Sequence, residues 1–418
     1  MIIQKGTFII GTLVLKSNVK LVLTEGACLK GSTIKDDYKL YRIKIDVYSD
    51  TLRAFLIYAD HAHDISIEGK GCIDGSGAAF WEPFDILPRW IKPLKGRVSN
   101  LVELHNVQNL VITGITFKNS PEWTCHLFNC SSVLIDSVRI RNNLYVPNND
   151  GIDLSGCSNV LMKNCDIITC DDAVCVKTFP SSNESFNITV ENCILQTTCA
   201  ALKIGESYRN ISSVFFKNCL VTKSSRAIGI YGNYGGEIEH IEISDITSDT
   251  NAPLVLNRPI QIGVWKSKDG KIGSIRNVSI RNFKTKTEGR ILITADDGGI
   301  IENITLRNIS MEFPLIENPE LYARGVTSDQ LAAVSYEARK AKATVVLSNI
   351  KSISIDSLNI KWPGKETIPT EWLLLERIEN GSLRVHKPDY QTYKNKTFDA
   401  LWSSNVQQGV FNAIAPQP

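Results

Sequence analysis

A short strand pattern recurs through most of this chain, and it limits the possible folds more than any other feature. Each unit alternates apolar and polar residues, as a half-buried β-strand does, and then reaches a small residue or an asparagine. Between Gly114 and Asp245, successive units lie 23–28 residues apart. Aligned on that position, the units carry Gly69, Gly114, Ser137, Asn164, Asn192, Asn218, Asp245, Asn282, Asn308 and Ser357.

A repeat of this length indicates a solenoid, in which each unit packs on its neighbours. The repeated elements are strands, and no helical pattern separates them. We therefore predict an all-β fold, a parallel β-helix of about 9–11 coils. A leucine-rich horseshoe is disfavoured because its leucine spacing and its helices are missing. An asparagine at one place in each coil suits a left-handed turn residue whose amide stacks on the next coil.

No linker divides the sequence, so we predict one β-helix domain over residues 1–418. The strand pattern begins in the first residues without a cap, which favours a short or truncated N-terminus. Within the domain we expect N-terminal coils at 1–35, a cleft-rim loop at 79–99, main coils at 101–310, an insertion of helical composition at 317–343 and an irregular C-terminal tail at 363–418.

Charge and hydropathy exclude several classes of partner. Charged residues make up 22% of the chain and the formal net charge is +2, which is not the composition of a protein that binds nucleic acid or membrane surfaces. The sequence has no apolar run near the roughly 18 residues of a membrane span. The sequence does not define an oligomeric state.

The eleven cysteines follow the repeat. Cys165, Cys193 and Cys219 each follow a Lys-Asn or Glu-Asn pair, once per unit. This placement predicts buried free thiols rather than a disulfide framework. A zinc site is the alternative, but there is no paired Cys-x-x-Cys motif, and we predict no metal. No secretory signal is visible in the sequence. Free thiols favour a reducing compartment, so we predict a cytoplasmic location. If the N-terminus is truncated, secretion or a periplasmic location is the alternative.

Two short segments, 148–153 (NNDGID) and 170–177 (CDDAVCVK), concentrate carboxylates. Asp171 and Asp172 follow Asp150 by 21 and 22 residues, close to the length of one coil. A coil of that length brings the three carboxylates to one patch. Such a patch suits acid/base hydrolysis of a glycosidic bond, since one carboxyl must hold a proton and another must not. A calcium site or turn-capping aspartates are the alternative.

These paired segments at this spacing resemble the signatures of glycoside hydrolase family 28, the polygalacturonases and related pectin hydrolases. Segments 73–77 (IDGSG) and 119–126 (NSPEWTCH) add to the similarity, which covers roughly residues 6–309. The resemblance implies a right-handed parallel β-helix and an inverting hydrolase without cofactor. It implies that Asp171 is the general acid, and that Asp150 and Asp172 activate water on the opposite face of the sugar.

Two family motifs are absent. Residues 199–201 read Cys-Ala-Ala where the family carries Gly-His-Gly, so Ala200 stands at the position of the catalytic-site histidine. Residues 229–231 read Gly-Ile-Tyr where the family carries Arg-Ile-Lys, the pair that binds a substrate carboxylate in polygalacturonases. Unless Lys203, Arg209 or Arg226 compensates from a neighbouring coil, this departure disfavours unsubstituted polygalacturonate as the substrate.

The predicted partner is therefore a pectic or other plant-type polysaccharide or oligosaccharide. Another β-helix lyase or epimerase, or a non-catalytic tailspike-like glycan binder, is the alternative. For His126 and for the aromatics of the 79–99 loop, burial in the protein is the alternative to a role in the cleft. The candidate substrate-binding residues are Asn148, Lys177, Lys203, Arg226, Tyr231, His126, Trp123 and Trp90.

Overall fold

The computed structural model shows a chain built almost entirely of parallel β-strands. It describes residues 1–43, 51–83, 90–252, 257–287, 289–313, 344–361, 373–385, 401–402 and 412–413. By its internal contacts the chain forms two compact units, Met1–Lys203 and Ile204–Pro418, and each is described by itself. The single-domain assignment stays a prediction.

The first unit contains twenty-two strands and two short 3-10 helices, at Lys35–Asp37 and Gly77–Phe80, among its described residues. The strands are β1 (Ile2–Ile3), β2 (Gly6–Ile10), β3 (Leu13–Val14), β4 (Lys20–Leu23), β5 (Ala27–Gly31), β6 (Leu40–Ile43), β7 (Thr51–Ala54), β8 (Ile57–Asp60), β9 (His63–Gly69), β10 (Cys72–Asp74), β11 (Val102–His105), β12 (Gln108–Thr113), β13 (Thr116–Lys118), β14 (Cys125–Phe128), β15 (Ser131–Asp136), β16 (Arg139–Arg141), β17 (Ile152–Ser155), β18 (Ser158–Lys163), β19 (Asp166–Ile168), β20 (Val174–Thr178), β21 (Ser185–Glu191) and β22 (Ile194–Gln196).

Strands at equivalent places in successive coils pair in parallel. Along one ladder, Ile112 lies opposite Ile135, Ile135 opposite Met162 and Met162 opposite Val190, and all four side chains are buried. The alternating pattern of the sequence thus sends one face of each strand into the interior of the coil, because successive side chains point to opposite faces. Burying these apolar columns, coil on coil, holds the stack together.

The second unit follows the same plan with longer strands. After β23 (Ala200–Ser207), which crosses the boundary between the units, it contains β24 (Ile211–Lys217), β25 (Leu220–Lys223), β26 (Arg226–Tyr231), β27 (Glu237–Thr250), β28 (Ile260–Val264), β29 (Ser274–Thr287), β30 (Ile291–Ala295), β31 (Ile300–Glu312), β32 (Val345–Lys361), β33 (Leu373–Val385), β34 (Leu401–Trp402) and β35 (Asn412–Ala413). In its core, Ile243, Ile280, Leu306 and Ile355 face one another across successive parallel pairs.

The residue aligned in each repeat occupies the left-handed turn that the sequence predicts. All ten positions have positive φ, from 48° at Asn218 to 118° at Gly69. Asparagine and glycine tolerate this backbone better than other residues do. The amides also stack: Asn282 donates to Asp245 over 2.8 Å, and Asn308 donates to Asn282 over 2.8 Å.

The cysteines only partly follow the prediction. Cys165, Cys193 and Cys219 are buried free thiols, as expected. Cys28 and Cys72, however, form a disulfide that the sequence analysis did not foresee. They lie opposite each other on the paired strands β5 and β10. A disulfide is favoured by oxidising compartments, so this bond and the nine free thiols point to different redox environments.

The predicted all-β parallel β-helix is confirmed. Strands β1 to β4 lie within the first 23 residues, where the sequence already shows the strand pattern. The polar segment 36–55 and the C-terminal tail were both expected to be irregular, and both contain strands. A short antiparallel hairpin, β6 with β7, interrupts the first coils, and β33 adds a parallel strand within the predicted tail. The predicted helical insertion at 317–343 lies outside the described residues.

Within the described part of the chain, no helix is long and apolar enough to cross a membrane.

Candidate active site

Consecutive coils bring the three predicted carboxylates together. Strands β17 and β20 pair with Ile152 opposite Val174, so Asp150 and Asp172 each stand two residues before the same point of their coils. The Gly151 N–H donates to the Asp172 carbonyl over 2.8 Å, which fixes the turns against each other. One carboxylate oxygen from each of Asp150, Asp171 and Asp172 lies within 4.8 Å of the other two.

Asp171 is the most accessible carboxylate of the three, and main-chain groups hold it. Its Oδ2 accepts the Asn148 N–H over 3.1 Å, and its Oδ1 accepts the Asp172 N–H over 3.0 Å. Burial, and then the charge of Asp172, raise the pKa of Asp171, although the Lys203 ammonium opposes the rise. A partly exposed carboxyl that keeps its proton more readily than usual is suited to donate that proton.

Asp150 lies deeper in the patch. Burial raises the pKa of Asp150 well above its usual range, and the neighbouring carboxylates of Asp153 and Asp171 raise it further. Its Oδ1 atom is buried without a hydrogen-bond partner among the described residues. The titrations of these carboxyls are therefore coupled, because each negative charge in the cluster raises the cost of the next.

Asp172 is the carboxylate with cationic and main-chain donors. Its Oδ2 lies 2.6 Å from Lys203 Nζ, and its Oδ1 accepts the Ala200 N–H over 3.2 Å. Both contacts favour the ionised form. The structure thus places an anion-stabilised carboxylate beside two whose pKa values are raised, which is the division that acid/base chemistry needs.

Lys177, a predicted substrate-binding residue, forms a buried ion pair in this structure. Its Nζ lies 2.6 Å from Asp153 Oδ1 and 3.8 Å from the ring centroid of Trp123. Burial alone would lower the pKa of Lys177, but the charges of Asp153, Cys175 and Asp150 together outweigh it, and the pKa rises well above its usual range. Trp123 is itself almost fully buried, and the charge of Lys177 partly offsets the rise in the pKa of Asp150.

His126 is completely buried and belongs to a second polar cluster in the first unit. Its Nδ1 lies 2.9 Å from Glu103 Oε1 and its Nε2 lies 2.8 Å from Ser155 Oγ, while His105 contacts the same Glu103 oxygen. Two histidines and a glutamate are residue types that can bind a metal ion, and here His105 Nε2, Glu103 Oε1 and both ring nitrogens of His126 take part in hydrogen bonds. The histidines instead lower the pKa of Glu103 despite its burial.

Two other residues position the site, and their partners could not be read from the sequence. Arg97 donates to the carbonyls of Pro121 and Pro147, over 3.1 and 3.3 Å, and so ties together the segments that carry the motifs. Buried Asn149 donates to the Ser120 carbonyl over 2.7 Å. A motif match marks such residues as a group but does not show which partners they bind.

Asn148 and Trp90 are exposed, and their role in substrate binding stays a prediction. The Trp90 indole is 45% exposed and hydrogen-bonds the thiol of Cys170, the residue before Asp171. An exposed ring at this place suits stacking on a sugar. Asn148 adopts φ of 56° in the turn and offers its side chain to solvent and to Arg97.

The remaining candidates, Arg226 and Tyr231, belong to the second unit. Tyr231 is almost buried, lies 5.2 Å from the Trp265 ring and donates to Gln261 Oε1 over 3.4 Å. Arg226 is also nearly buried, and its charge helps to lower the pKa of Arg258 to about 9, although burial is the larger cause.

Comparison with known proteins identifies the family. The family model "Glycosyl hydrolases family 28" matches residues 5–321. The chain belongs to glycosyl hydrolases family 28. A Vitis vinifera protein named "Probable polygalacturonase" is 24% identical over 295 residues, 67% of this chain. The match spans about half of that relative, 52% of its length.

Solved structures show the same fold. An exopolygalacturonase from Thermotoga maritima superposes with a TM-score of 0.65 and 20% identity, covering 86% of this chain and 83% of the other. The family 28 exopolygalacturonase from Yersinia enterocolitica gives a TM-score of 0.69 and 15% identity, covering 91% and 72%. The family member described here therefore has the parallel β-helix of both enzymes.

Proposed function

We propose that this family 28 member is a glycoside hydrolase that cleaves a pectic or related plant-type polysaccharide or oligosaccharide. In the proposed reaction Asp171 protonates the leaving oxygen. Asp172, with Asp150, takes the proton of the attacking water on the opposite face, and the sugar is released in a single displacement. The convergence of three carboxylates with unequal environments on one patch carries this proposal.

The environments of the carboxyls support the assignment of roles. Asp171 combines a raised pKa with access to solvent, and two main-chain N–H groups set its orientation. Asp172 has an ammonium at 2.6 Å, so its negative charge costs less than that of its neighbours. Asp150 is the carboxyl whose pKa is raised most. It shares the activation of water with Asp172, and its tendency to hold a proton limits the negative charge that these two carboxyls carry together.

The product anomer tests the displacement. Inverting pairs usually stand about 6.5–9.5 Å apart to admit water, and retaining pairs about 5–5.5 Å. The oxygens of this cluster lie within 4.8 Å, so the prediction of inversion rests on family membership rather than on spacing. Proton NMR before mutarotation is expected to show the inverted anomer first. A retained first product would assign one carboxylate as a nucleophile and overturn the single displacement.

Substrate preference follows from the altered basic motif. Gly229 and Tyr231 offer no cation where the family pair binds a carboxylate. A uronate carboxylate left unpaired in a partly desolvated site costs on the order of a few kcal/mol. We expect kcat/KM on unsubstituted polygalacturonate to be about tenfold or more below that on a branched or neutral-sugar pectic fraction. Faster, random cleavage of the unsubstituted polymer would contradict this expectation.

One panel experiment separates the proposed hydrolase from the other β-helix activities. Reducing ends are measured over pectic and other glycans while ultraviolet absorbance is followed in the same samples. New reducing ends without absorbance support hydrolysis. Absorbance from an unsaturated product would indicate a lyase, and binding without either signal would indicate a non-catalytic glycan-binding protein.

A further inference from the structure

Lys203 lies where it can control the protonation of the proposed base. It projects from β23 and places Nζ 2.6 Å from Asp172 Oδ2, with only 17% of the lysine side chain and 6% of the aspartate side chain exposed. The same strand supplies the Ala200 N–H to the other carboxylate oxygen over 3.2 Å. One strand therefore brings a donor to each oxygen of Asp172, which fixes the orientation of the carboxylate.

The charge of Lys203 also reaches the other titratable groups packed on this side of the patch. Its ammonium opposes the rise in the pKa of Asp171, and its repulsion slightly opposes the rise in the pKa of Lys177. Buried Cys175, beside them on β20, feels the same charge, but burial still raises its pKa well above the usual range. Asp172 is in direct contact with the ammonium, at 2.6 Å.

Lys203, which contacts Asp172, lies on the same strand as the position where the family carries its catalytic-site histidine. Ala200 stands at that position, with a buried methyl group that can neither donate nor accept a hydrogen bond. The only group that Ala200 offers to Asp172 is its main-chain N–H. The cationic contact with Asp172 comes instead from the side chain three residues further along the same strand.

We propose that Lys203 is a positioning residue that keeps Asp172 ionised and directed at the attacking water, in place of the missing histidine. This inference rests on the proposed hydrolytic function. It also assigns Lys203 to the enzyme's own base rather than to a carboxylate of the substrate. If the Lys203 ammonium paired with a substrate carboxylate instead, Asp172 would lose this cationic contact in a largely buried site.

The pH profile tests this role, and the sign follows from the charges. Removing the ammonium raises the pKa of the base, so the acid limb of kcat/KM moves to higher pH. The basic limb moves the same way, because Lys203 also opposes the raised pKa of Asp171. For Lys203→Met we expect both limbs to move up by about one pH unit or more, with a roughly 10–100-fold lower kcat at the original optimum.

The controls separate charge from structure. Lys203→Arg keeps the cation and is expected to keep the limbs near their original pH. Lys20→Met removes another lysine with a 2.6 Å carboxylate contact, to Glu68 on the outer surface, and should change neither limb. The assay uses whichever pectic polymer or oligomer of the panel the unaltered protein cleaves, and circular dichroism verifies the fold of each variant.

A second readout serves if Lys203→Met is inactive. Infrared titration of the carboxylic C=O band, with Asp172→Asn to identify its contribution, should show Asp172 protonating at higher pH in Lys203→Met. Unmoved limbs or an unmoved Asp172 band in a folded Lys203→Met variant would overturn the positioning role. That result leaves the hydrolase proposal intact, whereas full activity of Asp171→Asn would overturn the acid assignment whatever Lys203 does.

Discussion

The Asp171→Asn variant is expected to lose about 10²–10⁴-fold in kcat on a natural glycan, because the leaving oxygen no longer receives a proton. The asparagine has nearly the same shape, and its side-chain oxygen can still accept one of the two main-chain N–H groups that hold the carboxylate. The fold should therefore persist, as measured by circular dichroism and thermal unfolding. The loss should be smaller on an aryl glycoside, whose leaving group needs less protonation.

Asp136→Asn is the matched control for this experiment. Asp136 belongs to the same unit and contacts Lys163 over 3.6 Å on the outside of the coil, away from the carboxylate patch. It should keep its activity on both substrates. Equal activity of Asp171→Asn and Asp136→Asn on the natural glycan would remove Asp171 as the general acid.

The largest expected effect on stability comes from Lys177→Met. This change removes the cation from a pair that is almost entirely buried and leaves the Asp153 carboxylate uncompensated. Breaking one side of such a pair costs about 3–5 kcal/mol in the free energy of unfolding. Urea unfolding, followed by fluorescence, measures the loss as a lower midpoint. The double variant Lys177→Met/Asp153→Asn should recover much of it, because no buried charge is then left alone.

Lys163→Met provides the comparison on the surface of the same unit. Its partner Asp136 lies at 3.6 Å, and both side chains are partly exposed, 33% and 25%. Surface pairs of this kind contribute about 0–1 kcal/mol. If Lys177→Met costs no more than Lys163→Met, or if the double variant recovers nothing, the buried pair does not stabilise the fold as we argue.

The fold was predictable from the sequence because residues close together within each coil define the register of its strands. Alternating strands define which side chains face inward, and a residue with left-handed backbone marks the same turn in each unit, as at Asn164 and Asn282. Such signals need no knowledge of distant contacts. The hairpin of β6 and β7 escaped prediction because its strands are short and are not part of the repeat.

The carboxylate patch was predictable for a related reason, since one coil length separates Asp150 from Asp172. The partners of these residues were not. Asp153 and Lys177 occupy strand positions where a polar residue reads as solvent-facing, yet the structure buries them against each other. Cys28 and Cys72 pair across 44 residues because a hairpin is inserted between equivalent strands, and no local pattern encodes that register.

The way in which Asp171 is held has a consequence for sequence divergence. Two of the groups that hold the proposed acid are main-chain N–H groups, from Asn148 and from Asp172, beside a side-chain hydrogen bond from Cys199. Any residue except proline supplies a main-chain N–H donor. Natural variants can therefore change the side chain at position 148 without losing the hydrogen bond that orients the Asp171 carboxyl. The limit is the backbone itself, because φ of 56° favours asparagine, aspartate or glycine there. Substitution at position 148 should therefore be limited by the backbone conformation of the turn rather than by the hydrogen bonds of the side chain.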